Sequence, residues 1–529
     1  MCSEGFGVTV VARIEAQPVD TAGRVSAAFT PLTLRPGRDL MAPSRREVVQ
    51  TVLAGSVTFV LGARSAGAQH RSQGGELLIR GGRIVNAEGI QEADLRIAGE
   101  KIAEIKPDLR PGPGARVVEA AGRLVVPGGI DPHTHLAPPF ADDLTSGSEA
   151  ALAGGITTIG TFAMAREGES VQAAIERTAT AARPLAIADY FLHGFAWPPG
   201  QTVAGGLAAL RDTGQPSFKI FMPLADFPAK LSEVVELLEA AARVGVVAMI
   251  HCEDATLLAA AARRLAAAGR TSLDAYGESR PVIAEVAATQ QAIALCELTG
   301  ATCYVVHLSS ERALDACKAA RQRGLPLHVE TRPLYLHLTE ERMRGPEAPL
   351  FVGQPPLRAG SDSEALWSGL ADGSIDVLAT DHAPWLKVQK LDPSLNISRL
   401  RPGVSDLQAM LPMFFSEGVG KRKLPIQRFV AVTATNPARI FGLYPRKGVL
   451  REGSDADVVI WDPGQIGTIR AADDRSRSDY SVYEGWEVRG WPVITIRRGE
   501  VVFEAGEIRS SPGSGQLIHR ITATPAPGR

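Results

Sequence analysis

His133 and His135 stand two residues apart at the end of Gly128-Gly129-Ile130-Asp131-Pro132-His133-Thr134-His135, behind the apolar run Leu124-Val125-Val126. In an extended chain, residues two apart point to the same side. A short buried strand here would present both imidazoles to one metal ion, and imidazole suits zinc and its neighbours in the series. Two histidines at a strand end also serve as packed or hydrogen-bonded residues, so the pair takes its meaning from its company along the chain. Lys219 lies inside the apolar run Ser217-Phe218-Lys219-Ile220-Phe221-Met222, and His251, His307 and Asp381 each come after another apolar run. Singly, a lysine in such a strand usually carries its ammonium outward, and an aspartate there can cap the next segment. Six metal-compatible groups in this order are harder to explain that way.

The elements that would position them alternate apolar, strand-like runs with alanine-rich helical ones, the signature of repeated βα units. Eight strands are expected at 124–130, 155–162, 186–191, 217–222, 246–250, 302–306, 326–329 and 375–379, with helices such as 171–182, 230–244, 283–298 and 312–323 between them. Eight units in one block argue for an α/β fold of the TIM (β/α)8 barrel type, in which chemistry sits at the C-terminal ends of the strands. All six residues would then share one rim. Short alternating runs separated by glycine turns precede this block from Glu76 and return after it, as in Ala456-Asp457-Val458-Val459-Ile460-Trp461. They suggest a small β-sandwich made from both ends of the chain, at 76–123 and 445–508, around a barrel at 124–444.

At 529 residues and 45% hydrophobic, the chain can bury a large core, and its net charge of -2 gives no nucleic-acid or membrane-surface footprint. The five cysteines, Cys2, Cys252, Cys296, Cys303 and Cys317, form no C-x-x-C pair and read as buried thiols. Residues 1–75 do not read as fold. Ser44-Arg45-Arg46 precedes an apolar stretch at 52–61 and then Ala66-Gly67-Ala68, the order of a twin-arginine export signal. The apolar stretch is too short to span a bilayer, so no membrane span is expected in the mature chain. This reading makes Met41 the initiator and the periplasm the destination; the alternative is a plain N-terminal extension on a cytoplasmic protein. Residues 509–529, rich in Gly, Pro and Ser, suggest a flexible tail.

The whole pattern resembles the amidohydrolase superfamily and, within it, the hydantoinase, dihydropyrimidinase and allantoinase group. The likeness spans about residues 76–508. It rests on PGGIDPHTHL (127–136), ALAGGITTIGTF (151–162), SFKIFM (217–222), IHCED (250–254), VVHLSS (305–310), ATDHAP (379–384) and the long TNPARIFGLYPRKGVLREGSDADVVIWDP (435–463). The resemblance implies two divalent ions, zinc by preference, with His133, His135 and Asp381 on one, His251 and His307 on the other, and carboxylated Lys219 bridging both. It implies hydrolysis of the C–N bond of a small cyclic amide, a hydantoin or dihydropyrimidine-type ureide, by a hydroxide between the metals, with Asp381 taking and returning the proton. It also implies a homo-oligomer, a dimer or tetramer.

The departures concern substrate. The group carries a tyrosine shortly after the lysine that helps stabilise the oxyanion; here Ile220-Phe221-Met222-Pro223-Leu224 comes after Lys219, with Leu224 at that place. Oxyanion stabilisation would then fall more heavily on the metal. Arg332, in Glu330-Thr331-Arg332-Pro333, could read an acidic substituent or form a surface ion pair, and His193 could hydrogen-bond substrate or fill the rim. Gly403-Val404-Ser405-Asp406-Leu407-Gln408 has an allantoinase-like tail, which keeps allantoinase or another cyclic-amide hydrolase open. A non-catalytic scaffold of the same fold is the reading from a different class, but such scaffolds lose ligands and all six are present. A dihydroorotase would place an arginine soon after the histidine pair, where Leu136-Ala137-Pro138-Pro139 stands.

Export by the twin-arginine route would come after folding and metal loading in the cytoplasm. Arg45→Lys with Arg46→Lys should therefore retain the protein inside the cell, read by fractionating cytoplasm from periplasm; an unchanged distribution would leave residues 1–75 without a role in export.

Overall fold

The computed structural model describes residues 75–197 and 206–522; the stretch with Met41 and Arg45-Arg46 lies outside them. Eight strands form one parallel sheet in chain order: Gly129–Thr134, Ile156–Ala163, Asp189–Phe195, Ser217–Phe221, Val247–His251, Cys303–Val305, Leu327–Thr331 and Val377–Leu378. A parallel bridge between Thr134 and His382 brings the last of these back to the first. The expected TIM barrel is present.

Crossover helices succeed the strands, and their residues show why. In Leu231–Val244 the buried positions are Val234, Leu237, Leu238 and Ala241, one apolar stripe at helical spacing, and Gly245 ends the helix with φ 71°. In Val171–Ala182 the side chain of Ser170 accepts from the Ala173 N–H and caps the start. Among the described residues no helix is long and apolar enough to cross a membrane.

The second sheet is mixed and draws on both ends of the chain. Glu507–Ile508, Glu500–Glu504, Glu487–Arg497 and Val458–Thr468 come from the C-terminal part; Leu77–Asn86, Gly89–Ala98 and Lys101–Lys106 come from the N-terminal part. Leu124–Pro127 joins the two halves, antiparallel to Val458–Thr468 and parallel to Leu77–Asn86. Ile79, Ile84, Leu95, Val125, Val458 and Ile496, drawn from both halves, bury together in a core of their own.

One expected strand is thus two. The run 124–130 divides at Gly128, whose N–H donates to the Asp457 carbonyl (3.0 Å), while the Gly129 N–H donates to the Gly155 carbonyl (2.9 Å). The chain passes from the small sheet to the barrel at this point. A Cβ on Gly128 would lie 2.2 Å from Thr157 Oγ1, so the crossing requires glycine.

The expected flexible tail is also corrected for residues 510–522. The Tyr190 N–H donates to the Gln516 carbonyl (2.9 Å) and the Ile518 N–H to the Tyr190 carbonyl (2.7 Å). Arg520 is buried and donates to the Leu192 carbonyl and to Ser217 Oγ, both at 2.8 Å. Composition conceals two anchors among the glycines and prolines. Ile518 is 1% exposed within an apolar cluster that includes Phe191 and Phe441. Ile518→Ala should destabilise the protein by about 2–5 kcal/mol, measured as a lower denaturation midpoint in urea; an unchanged midpoint would mean the segment is not held in solution.

Candidate metal centre

Four of the expected residues converge. His133 and His135 leave the first barrel strand on the same side, as their spacing requires. Asp381 Oδ1 lies 3.1 Å from His135 Nε2 and 3.3 Å from His133 Nε2. Ligand atoms of these three residues all fall within 4.8 Å of one another, a group that could hold a metal ion. Lys219 Nζ is 3.2 Å from His133 Nε2. His307 stacks on His133 with ring centroids 5.5 Å apart, and His251 meets His307 at 4.4 Å. The remaining two expected ligands therefore adjoin the first group.

Carboxylates stand behind the imidazoles. Glu330 Oε1 lies 2.8 Å from His133 Nδ1, and the same carboxylate accepts from the His307 N–H and the Tyr304 hydroxyl, each at 2.8 Å. Glu253 Oε2 lies 2.7 Å from His251 Nε2, and Arg280 donates to both oxygens of Glu253. A carboxylate on one ring nitrogen fixes the tautomer and turns the other nitrogen toward a metal. That leaves Nε2 of His133, which faces Lys219 Nζ and Asp381 Oδ1, and Nδ1 of His251 as the nitrogens not used by a supporting glutamate. His307 Nδ1 is buried with no hydrogen-bond partner among the described residues, so its lone pair is available to an ion.

The electrostatics suit metal binding. Burial pushes His251 down to about 4 and holds His133 and His307 well below the usual imidazole range, so all three keep a lone pair at neutral pH. Burial would raise Glu253, but Arg280 and His251 beside it keep it ionised, at about 2. Burial brings Lys219 down to about 8, against the pull of Asp381 and Glu330. His307 and Asp381 both have left-handed backbone, with φ 36° and 48°. Strain of this kind gathers at functional sites.

Two expected substrate contacts adjoin the site but do not line the cavity. His193 is within the third barrel strand, fully buried, with Nδ1 2.6 Å from Ser217 Oγ and Nε2 2.9 Å from the Pro132 carbonyl. It fills the barrel because both nitrogens are already engaged. Arg332 is 0% exposed and forms neither a surface pair nor a cavity wall. Its Nη1 is 2.8 Å from Asp381 Oδ2 and its Nη2 3.3 Å from Asp406 Oδ2. Leu224 packs against the barrel core and does not line the cavity over the site.

The comparisons with known proteins bear on the family and the fold. The sequence pattern of the amidohydrolase family matches residues 124–502. The chain belongs to the amidohydrolase family. It is 35% identical over 455 residues to a D-hydantoinase of Ralstonia pickettii, covering 84% of this chain and 99% of that one. It is 34% identical over 459 residues to a dihydropyrimidinase of Rattus norvegicus, covering 84% and 88%. The crystal structure of a dihydropyrimidinase from Brevibacillus agri superposes with a TM-score of 0.80 at 32% identity, over 84% of this chain and 99% of that one.

Glu253 and Glu330 are functional neighbours that sequence reasoning misses, although signals exist. Glu253 stands two residues after His251, and Glu330 is an acid inside an apolar barrel strand. Glu253→Gln should weaken the amidohydrolase's hold on a divalent ion by about 10–100-fold, measured by competition with a chelator; unchanged affinity would separate His251 from the metal set.

Proposed function

We propose that the chain is a metal-dependent hydrolase that opens a cyclic amide, a hydantoin or dihydropyrimidine-type ureide, at its C–N bond. His133, His135 and Asp381 would hold one divalent ion, and His251 and His307 a second, with Lys219 in its carboxylated form as a ligand beside them; zinc matches the imidazole-rich set best.

The observation that carries this reading is the setting of Lys219. The residue is 5% exposed, it makes no ion pair among the described residues, and its Nζ lies 3.2 Å from a histidine nitrogen. A lysine kept for structure would point to an acid or to backbone carbonyls, as the buried Lys390 does toward Val352, Arg401 and Gly403. Burial favours its neutral amine, which can combine with carbon dioxide to give a carbamate, an anion whose two oxygens would supply metal ligands. When bound, the ions polarise a ring carbonyl and lower the pKa of water to roughly 7. Asp381, with Oδ1 turned to the two histidines, accepts the proton of the attacking water and delivers it to the leaving ring nitrogen. The product is an N-carbamoyl or ureido acid.

The cavity above these residues measures about 460 Å³, room for a small ring with one substituent. Leu136, Phe140, Phe162, Met164, Phe195 and Phe221 give it mostly apolar walls. Apart from Lys219, no lysine or arginine among the described residues lines it, and Arg332 is sealed away. A ring with its own carboxylate meets no arginine there among the described residues, which favours apolar or aryl substituents over dihydroorotate. Twin-arginine export and a homo-oligomeric state, dimer or tetramer, complete the proposal, and both rest on the sequence motif and the family likeness.

The metal-loaded protein should contain close to two divalent ions per chain by elemental analysis and open an aryl-substituted hydantoin, with activity lost on chelation and regained with zinc. Lys219→Ala should lose metal and turnover together, and formate or propionate should restore part of both. Folded, metal-loaded protein that opens none of a panel of cyclic ureides, imides and lactams would overturn the assignment.

A further inference from the structure

Arg332 is the buried cation nearest to the site that the proposed chemistry leaves unused. It comes directly after the seventh barrel strand, Leu327–Thr331, and lies under the rim rather than on it. The two oxygens of Asp381 face different partners. Oδ1 points to His133 and His135, and Oδ2 is taken by Arg332 Nη1 at 2.8 Å. A guanidinium keeps its charge at any working pH and offers a rigid, planar array of donors. Its second arm reaches Asp406, which is also buried, and its central carbon lies 5.7 Å from the centre of the Tyr335 ring. Asp406 is itself tied to the residue after Asp381, because its N–H donates to His382 Nδ1 at 3.1 Å. The guanidinium is therefore fixed at one end by an acid whose place is referred back to the same loop.

Asp381 needs such a restraint. Its backbone is left-handed, φ 48°, a conformation that residues with a side chain rarely adopt without neighbours to hold it. A carboxylate free to turn could offer both oxygens to one ion, or swing Oδ1 away from the histidines. With Oδ2 held by Arg332, the carboxylate is fixed in the orientation that turns Oδ1 to the histidines. A substrate-reading role for Arg332 is excluded by its complete burial and by the two carboxylates already on its arms.

We propose that Arg332, anchored by Asp406, is a positioning residue that reserves one oxygen of Asp381 for the metal and the proton transfer without touching substrate. This role rests on the proposed function, in which Asp381 is a ligand and proton carrier.

The test compares wild type, Arg332→Met, Arg332→Lys and Asp406→Asn, each loaded with Co²⁺, by visible absorption and by kcat and KM on an aryl-substituted hydantoin. Arg332→Met should lower kcat by about 10–100-fold, as for other groups that orient ligands, with KM nearly unchanged and an altered cobalt band. Arg332→Lys should recover part of kcat and of the spectrum, since it keeps the charge but not the fork. If Arg332→Met does not fold, Asp406→Asn carries the same expectation with a smaller loss. A wild-type cobalt band and kcat in these variants would overturn the role of Arg332 alone, as would a rise in KM at constant kcat. Wild-type protein that neither binds Co²⁺ nor opens the ring would overturn the proposed function, and this role with it.

Discussion

Asp131 is completely buried, and its carboxylate accepts from the Thr380 hydroxyl at 2.5 Å, from the Thr380 N–H at 3.3 Å and from the His133 N–H at 3.0 Å. These bonds join the first barrel strand to the end of the eighth, where the ladder itself is thin: Val377–Leu378 is only two residues long. The His135 N–H adds a bond to the His382 carbonyl at 2.7 Å. Closure of the barrel and assembly of the site are therefore one event. The contact of Thr380 with Asp131 helps fix Asp381 relative to His133 and His135. Residues on strands distant in sequence meet only because this seam holds.

The opposite side of the barrel shows a different use of buried charge. Lys447 Nζ lies 2.7 Å from Asp189 and 2.5 Å from Asp457, and Arg498 donates to Asp189 at 3.1 Å. Asp189 begins the third barrel strand, whereas Asp457 and Arg498 flank strands of the mixed sheet. Every charge in that cluster has an opposite partner, as a dry interior demands. Matched charge at that end serves attachment of the two sheets. At the metal end the balance is left open: three histidines are held neutral, His307 Nδ1 has no partner among the described residues, and Lys219 pairs with no acid there. A barrel separates stability from chemistry in this way, with its strand C-termini given to the latter.

Legibility in the sequence depends on the range of the interactions concerned. His133 and His135 announce themselves because two-residue spacing in a strand is local geometry. Lys219 does so because a lysine breaks an apolar run. The helix at 171–182 and the strand order are readable for the same reason. The division at Gly128 is not, since Leu124–Pro127 is as apolar as a barrel strand and only its partners, Val458–Thr468 and Leu77–Asn86, place it in the other sheet. A polar residue near a strand end looks alike whether it faces a cavity or a buried partner, which is why His193 and Arg332 resemble substrate contacts. The partners that decide, Ser217 for one and Asp406 for the other, are 24 and 74 residues away. Ile518 and Arg520 are hidden by the composition around them.

The two left-handed residues at the rim show how such distant partners act together. His307 and Asp381 each stand just past a short strand with a backbone that side-chain-bearing residues rarely adopt, and each is restrained by a charged group from the seventh strand or its flank. Glu330 accepts the His307 N–H at 2.8 Å, and two residues later Arg332 takes Asp381 Oδ2 at the same distance. Residues 330 and 332 share a side of the extended chain, so one strand end steadies one residue of each expected ligand group. The strain at 307 and 381 is held by neighbours that contribute nothing to the cavity wall. The carboxyl group and the guanidinium of that strand end therefore sit beneath the rim, where they hold the candidate ligands in place and stay out of the apolar cavity above.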